Sequence, residues 1–183
     1  RIPAENVLGG EAGVGQGWRA AMHTLTNERA MIGSAHPMED HLSLLGIARS
    51  AGSTTDPCVR QVLADTYVRS QILRFFGFRL QTALSKGEMP GPEVSVVKLF
   101  FSDHVARSSG AALRLQGPTG MLRGAGASAF ALQRFLYSPS LTIAGGTSEV
   151  QRNIIGERVL GLPAEPKAPS ISAEVRSAPE PAQ

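Results

Sequence analysis

The residues of this chain best suited to chemistry lie between Ser138 and Leu160, in SPSLTIAGGTSEVQRNIIGERVL. Leu141 and Ile143 predict an extended approach, Gly145 and Gly146 a bend, and the remainder a helix. Two consecutive glycines admit φ > 0 and present no side chain toward a flat partner. Ser148, with Gln151 three residues later, has the spacing of a capping box, which predicts a helix beginning near Glu149. Val150, Ile154, Ile155 and Val159 supply its apolar face, and Gly161 and Pro163 end it. Backbone N–H groups behind two glycines, at the positive end of a helix, suit an anion or a polarised ring edge. The same spacing also describes a tight turn starting an ordinary helix, and one Gly-Gly turn does not decide between the two. Metal chemistry is not expected, because His23, His36, His41 and His104 are not joined by a CxxC or HExxH pattern.

These residues need a scaffold, and 183 residues of which 42% are hydrophobic suffice for one domain with a full core. The single cysteine, Cys58, cannot form an internal disulfide, which fits a reducing compartment and predicts a cytoplasmic location. Net charge is +3, but the arginines are spread along the chain without aromatics interleaved. That pattern predicts a solvated helical surface and no nucleic-acid partner, while individual arginines remain able to meet a phosphorylated ligand. No apolar run approaches the ~20 residues a membrane span needs. The chain opens on Arg1, and RIPAENVLGG reads like the end of an element, so a piece of a longer protein is expected.

Residues 1–14 are read as a last strand and linker, 15–162 as a helical bundle, and 163–183 as a tail. Helices are expected over about Trp18–Asn27 and from Glu28 or Arg29 to Arg49, the second interrupted at Pro37. Asp56 as N-cap and Pro57 at the first helical position predict a long helix to about Lys86. Its two apolar stripes, Leu73, Phe76, Leu80, Leu84 and Val68, Ile72, Phe75, predict a helix sandwiched within a bundle. Phe75, Phe76, Phe78, Phe100 and Phe101 are read as core. GEMPGP is a breaker. Val94, Val97, Phe101, Val105, Ala112 and Leu115 then mark a helix over about Glu93–Leu115. A glycine-rich loop, Gly117–Gly126, and a short helix, Ala127–Tyr137, lead into the bend. Beyond Pro163 the chain is Pro, Ala, Ser and Glu, which predicts a disordered tail. The fold class is therefore all-α, an antiparallel four-helix-type bundle with short connections.

GGTSEVQRNIIGERVLGLP resembles the C-terminal signature of the acyl-CoA dehydrogenases. RIPAENVLGGEAGVGQGW resembles the junction of their middle β-domain with their C-terminal bundle, and LADTYVRSQILR and GPEVSVVKLFFSD resemble the two long central helices. The resemblance covers about Arg1 to Pro163 and implies the α-domain of a chain about twice as long. It implies FAD held between subunits, a carboxylate that removes the α-proton of an acyl-CoA thioester, and hydride transfer to the flavin. Such chemistry needs a base held close to the α-carbon and shielded from water, and hydrogen bonds to the thioester carbonyl for the developing charge.

The departures from the family pattern are specific. Most members carry the base just before the Gly-Thr of the signature, where this chain has Gly145. A minority carry it as a Glu-Arg pair in the first bundle helices, which Glu28-Arg29 matches. The resemblance thus implies Glu28 as base and Arg29 beside the substrate, with Gly145 and Gly146 on the substrate side. From the residues alone, Glu28 reads as an acid at a helix N-terminus. The family's Gln-x-x-Gly-Gly-x-Gly loop corresponds to RLQGPTG, which implies cofactor contacts from Arg114, Gln116, Gly117 and Gly120, with Arg114 at the glutamine position and Pro118 at the second glycine. Thr147, Ser148 and Glu149 match its flavin-contacting Thr-Ser-Glu. The family's Arg-x-x-Phe-Gly run is missing from ARSAGSTTDPCVRQ. These losses predict a homo- or hetero-oligomer, a paralogous subunit supplying the missing groups, and an electron-transfer acceptor. Bulky or sterol-derived acyl-CoA is the substrate class this implies. The competing readings are a non-catalytic structural subunit and a plain helical binding module.

Overall fold

The computed structural model describes residues 3, 6–32, 38–88, 91–122, 127–164 and 166. Among them are six α-helices and no strand: α1 (Gly17–Ile32), α2 (Met38–Ser50), α3 (Pro57–Ser85), α4 (Val94–Gln116), α5 (Ala127–Leu141) and α6 (Ser148–Ile154). Short 3-10 turns span Gly10–Gly13 and Gly117–Met121, and a π turn, Ile155–Val159, prolongs α6. The described residues before α1 form turns rather than the expected strand end. The tail expected from 163 onward lies almost wholly outside the described residues.

α4 is the central element, and α1, α2, α3, α5 and α6 all pack on it. Its sequence explains this. Val94, Val97, Phe101 and Val105 recur at helical spacing and are buried, and Ser108, Ser109, Gly110, Ala111 and Ala112 make a small-residue stretch where a neighbour can approach closely. Two apolar clusters result. Leu44, Ile47 and Ala48 of α2 meet Leu63, Ala111, Ala112 and Ala131, while Leu73 of α3 meets Val97, Phe101 and Val105.

The start of α3 follows the sequence reading. Asp56 is its N-cap, and Oδ1 accepts from the backbone N–H of Cys58 at 2.7 Å and of Val59 at 3.2 Å, with Pro57 in the first turn. Four other expectations are corrected. α1 runs unbroken past Asn27 and Glu28 because WRAAMHTLTNERAMI contains neither glycine nor proline. The break expected at Pro37 falls outside the described residues, which resume as helix at Met38. α3 is not sandwiched. Leu73 is buried, but Val68, Ile72 and Phe75 face outward, and Phe75 is 59% exposed. Phe75 and Phe78 are accordingly surface residues in edge contact at 6.4 Å, whereas Phe101 is core and Phe76 and Phe100 are half-buried. Finally, α5 does not stop at Tyr137. It continues through Pro139 to Leu141 in place of the extended approach. Pro139 cannot donate to the Phe135 carbonyl, and the Ser138 hydroxyl does so instead at 2.8 Å.

Candidate functional site

Ala144 to Ser148 forms the bend between α5 and α6. Gly145 has φ 67° and Gly146 φ 102°, both in the region that favours glycine. The cap sits one residue earlier than expected. Thr147, with φ −62° and ψ 164°, is the N-cap, and its Oγ1 accepts from Val150 N–H at 3.4 Å. Ser148 is the first residue of α6. Gln151 does not complete a capping box. It is fully buried, and its Nε2 turns back to donate to Gly145 O at 2.8 Å and Gly146 O at 3.3 Å. A Cβ on Gly146 would lie 2.7 Å from that nitrogen, so the space beside this glycine is filled by the chain's own amide. The face expected on this helix is only half-covered, with Val150 and Val159 exposed and Ile154 and Ile155 half-buried.

A second buried side chain, this one a cation, meets the same bend. Lys98 of α4 has no exposed surface, and its Nζ donates to Gly146 O at 2.6 Å. Sequence reading missed Lys98, although its signal was present: it stands four residues after Val94 and three before Phe101, on the buried stripe.

Glu149 is exposed and 3.3 Å from Arg152 Nη1. Its carboxyl is held below the ordinary value, first by a backbone N–H at the start of α6, then by the Thr147 hydroxyl and by Arg152. Ser148, Thr142, Arg107 and Arg152 border a groove of about 430 Å³ beside the bend, floored by Leu99 and Phe100.

Glu28 lies well inside α1, not at a helix start, and is half-buried. The macrodipole acts within the first turn, so it does not account for an acid at this place. The side chain of its neighbour Arg29 lies outside the described residues. α1 and the bend both pack on α4.

The remaining predicted residues collect at the other end of α4. Arg114 is exposed in its last turn, and Gly117, with φ 59° and ψ −144°, ends the helix by donating to Arg114 O. Gly120 is buried, and a Cβ there would meet Gln116 Cβ at 3.0 Å and Leu113 O at 3.1 Å. Both amide atoms of Gln116 are shielded from solvent and have no partner among the described residues. A buried amide in this state is the kind of group a ligand completes. Lys98, at the bend, and Gln116 are 18 residues apart on α4, about 27 Å at the helical rise. The structure therefore brings Gly145, Gly146, Thr147, Ser148 and Glu149 together, and Arg114, Gln116, Gly117 and Gly120 together, but not the two groups with each other.

A third constellation was not foreseen. Asp40, buried at the start of α2, accepts from Arg134 of α5 at 2.6 and 2.7 Å through its two oxygens, with His104 Nε2 at 3.2 Å and the Ser108 hydroxyl at 3.5 Å. It joins α2, α4 and α5 beside a cavity of about 20 Å³, room for one water. Among the described residues no group of His, Cys, Asp and Glu could hold a metal ion, and no helix is long and apolar enough to cross a membrane.

An all-α bundle around one central helix, closed by a Gly-Gly-Thr bend and a short last helix, defines a helical C-terminal domain. Residues 15–160 match the family described as "Acyl-CoA dehydrogenase, C-terminal domain", and the chain belongs to that family. It is 35% identical over 156 residues to acyl-CoA dehydrogenase IpdE1 of Mycolicibacterium smegmatis, a match covering 84% of this chain and 38% of the relative. Among solved structures, the "Tcur3481-Tcur3483 steroid ACAD" superposes with a TM-score of 0.70 at 21% identity, over 81% of this chain and 40% of that one. The ChsE4-ChsE5 complex from Mycobacterium tuberculosis superposes with a TM-score of 0.57 at 22% identity, over 68% and 37%. The two structures speak to the fold. The chain spans about two fifths of the length of these relatives.

Proposed function

We propose that this chain is the C-terminal helical part of a flavin-dependent acyl-CoA dehydrogenase in which Glu28 removes the α-proton of an acyl-CoA thioester. The observation that carries the reading is a half-buried carboxylate inside α1 combined with a bare Gly145 at the bend, α1 and the bend packing on the same helix. Arg29 stands beside the substrate, and Gly145 and Gly146 form the substrate-side wall. FAD, when bound, supplies the hydride acceptor for the β-hydrogen.

The residues fit such a cofactor in two places. Ser148 borders the groove at the bend together with Thr142, Arg107 and Arg152, and Thr147 and Glu149 flank it in sequence. Arg114, Gln116, Gly117 and Gly120 offer a cation, an unsatisfied amide and a glycine turn at the far end of α4. Arg suits a phosphate better than an amide does. The separation of about 27 Å along α4 supports contacts to two different flavins, one of them in the site of an adjoining subunit. The chain then works in an oligomer, and both structural neighbours are named as paired proteins. A paralogous partner subunit would supply the groups missing from ARSAGSTTDPCVRQ. One of these neighbours is named a steroid ACAD, which supports bulky or sterol-derived acyl-CoA as the proposed substrate class. Electrons leave to a separate acceptor, and the exposed lone Cys58 suits the cytoplasm.

The filled space beside Gly146 favours one alternative, a subunit that keeps the fold without catalysis. Turnover of acyl-CoA by the full-length protein, co-expressed with a neighbouring homologue, separates the two. Glu28→Gln lowers turnover about 10²–10⁴-fold if it is the base, and leaves it unchanged if the subunit is structural.

A further inference from the structure

We infer that Lys98 is a positioning residue for the reaction site: its ammonium pins the Gly145–Gly146 bend to α4, acting through the backbone rather than on the substrate. The inference rests on the proposal that this bend borders the reacting atoms.

The geometry is that of a clamp. Two fully buried side chains from different elements reach consecutive carbonyls. Gln151 of α6 donates to Gly145 O at 2.8 Å and to Gly146 O at 3.3 Å, and Lys98 of α4 donates to Gly146 O at 2.6 Å. Gln151 ties the bend only to the helix it opens, whereas Lys98 ties it to the central helix. A two-glycine bend loses more chain entropy on ordering than any other dipeptide, so an external anchor has most to do here. The anchor also sets direction. A trans peptide points its C=O and the following N–H in opposite senses. Holding Gly146 O toward Lys98 therefore turns the Thr147 N–H away from α4, to the outer side of the bend. A charged donor makes a stronger hydrogen bond than a neutral one, and this one helps offset the cost of burying Lys98.

The test uses the full-length protein with Lys98→Met, which keeps the length and volume and removes the donor. Amide hydrogen exchange over residues 142–151 is compared with exchange over α2 and α5. Loss of one charge-assisted hydrogen bond predicts about tenfold to hundredfold faster exchange confined to 142–151, with a lower kcat and a KM changed far less. Gln151→Met, which breaks the other jaw without touching charge, gives the same signature and serves if Lys98→Met does not fold. The double variant is less than additive, because both donors grip one acceptor. Unchanged exchange over 142–151 in a folded variant overturns the anchor. Faster exchange with unchanged kcat overturns the positioning role. If the wild-type protein turns over no acyl-CoA, the proposed function fails, and the exchange measurement alone decides the anchor.

Discussion

Replacing Asp40 by alanine strands the guanidinium of Arg134. Asp40 is nine-tenths buried and holds Arg134 through both oxygens at 2.6 and 2.7 Å, with His104 at 3.2 Å. Removing one member of a buried pair costs about 3–5 kcal/mol, most of it from the charge left behind. The Arg134 side chain is a quarter exposed and can partly rehydrate, which places Asp40→Ala near the low end, about 3 kcal/mol. At about 2–4 °C per kcal/mol for a chain of this size, the thermal midpoint falls by about 6–12 °C. Calorimetry or circular dichroism on the 183-residue chain, with urea midpoints as a check, measures it. Arg134→Met in the same background recovers part of the loss, since no guanidinium is then stranded, and the double-mutant cycle shows about 1–3 kcal/mol of coupling. A loss under about 1 kcal/mol, or strictly additive single effects, would refute the view that this network locks α2, α4 and α5 together.

Further outcomes follow from the bend. Gly146→Ala puts a Cβ 2.7 Å from Gln151 Nε2 at φ 102°, whereas Gly161→Ala meets only the φ cost, at φ 67° with open space around it. Stability, followed by thermal unfolding, should fall for both, and by at least about 1 kcal/mol more for Gly146→Ala; equal losses would contradict the clamp. The carboxyl of Glu149 is depressed below 4.5 by the N–H groups of α6, Thr147 and Arg152. Its contribution to α6 is therefore complete above about pH 4.5 and is lost as the pH falls through the depressed value. Chemical-shift titration of residues 147–152 should show α6 fraying in that acid window, and Glu149→Gln should abolish the pH dependence.

The parts legible in the sequence are those where one local device decides the backbone. Asp56 followed by Pro57 opens α3, GEMPGP closes it, and the apolar steps from Val94 to Val105 mark α4. The misreadings have a common physical origin: a polar or breaking residue whose partner is distant or unexpected. The helix expected to end at Tyr137 runs on through Pro139, where the Ser138 hydroxyl takes the Phe135 carbonyl. Gln151 has capping-box spacing, yet the two carbonyls behind it are better acceptors for a buried amide. Lys98, His104 and Asp40 count as solvent-facing in any hydropathy pattern, and only tertiary structure supplies the carbonyl and the guanidinium that let them be buried. The outer stripe of α3 was assigned a partner because apolar faces usually have one, and among the described residues Val68, Ile72 and Phe75 remain exposed. For the candidate site, the bend was legible from its glycines, while Glu28 needed the family resemblance. α1 then removed the competing reading by running through it.

The proposed chemistry depends on Glu28 taking the α-proton. The most direct measurement is washout of that proton from an acyl-CoA in D₂O, followed by NMR, with the full-length protein and its Glu28→Gln variant at equal flavin content. If Glu28 is the base, the wild type washes out the proton and the variant is slower by about a hundredfold or more. Equal washout by both proteins would contradict it.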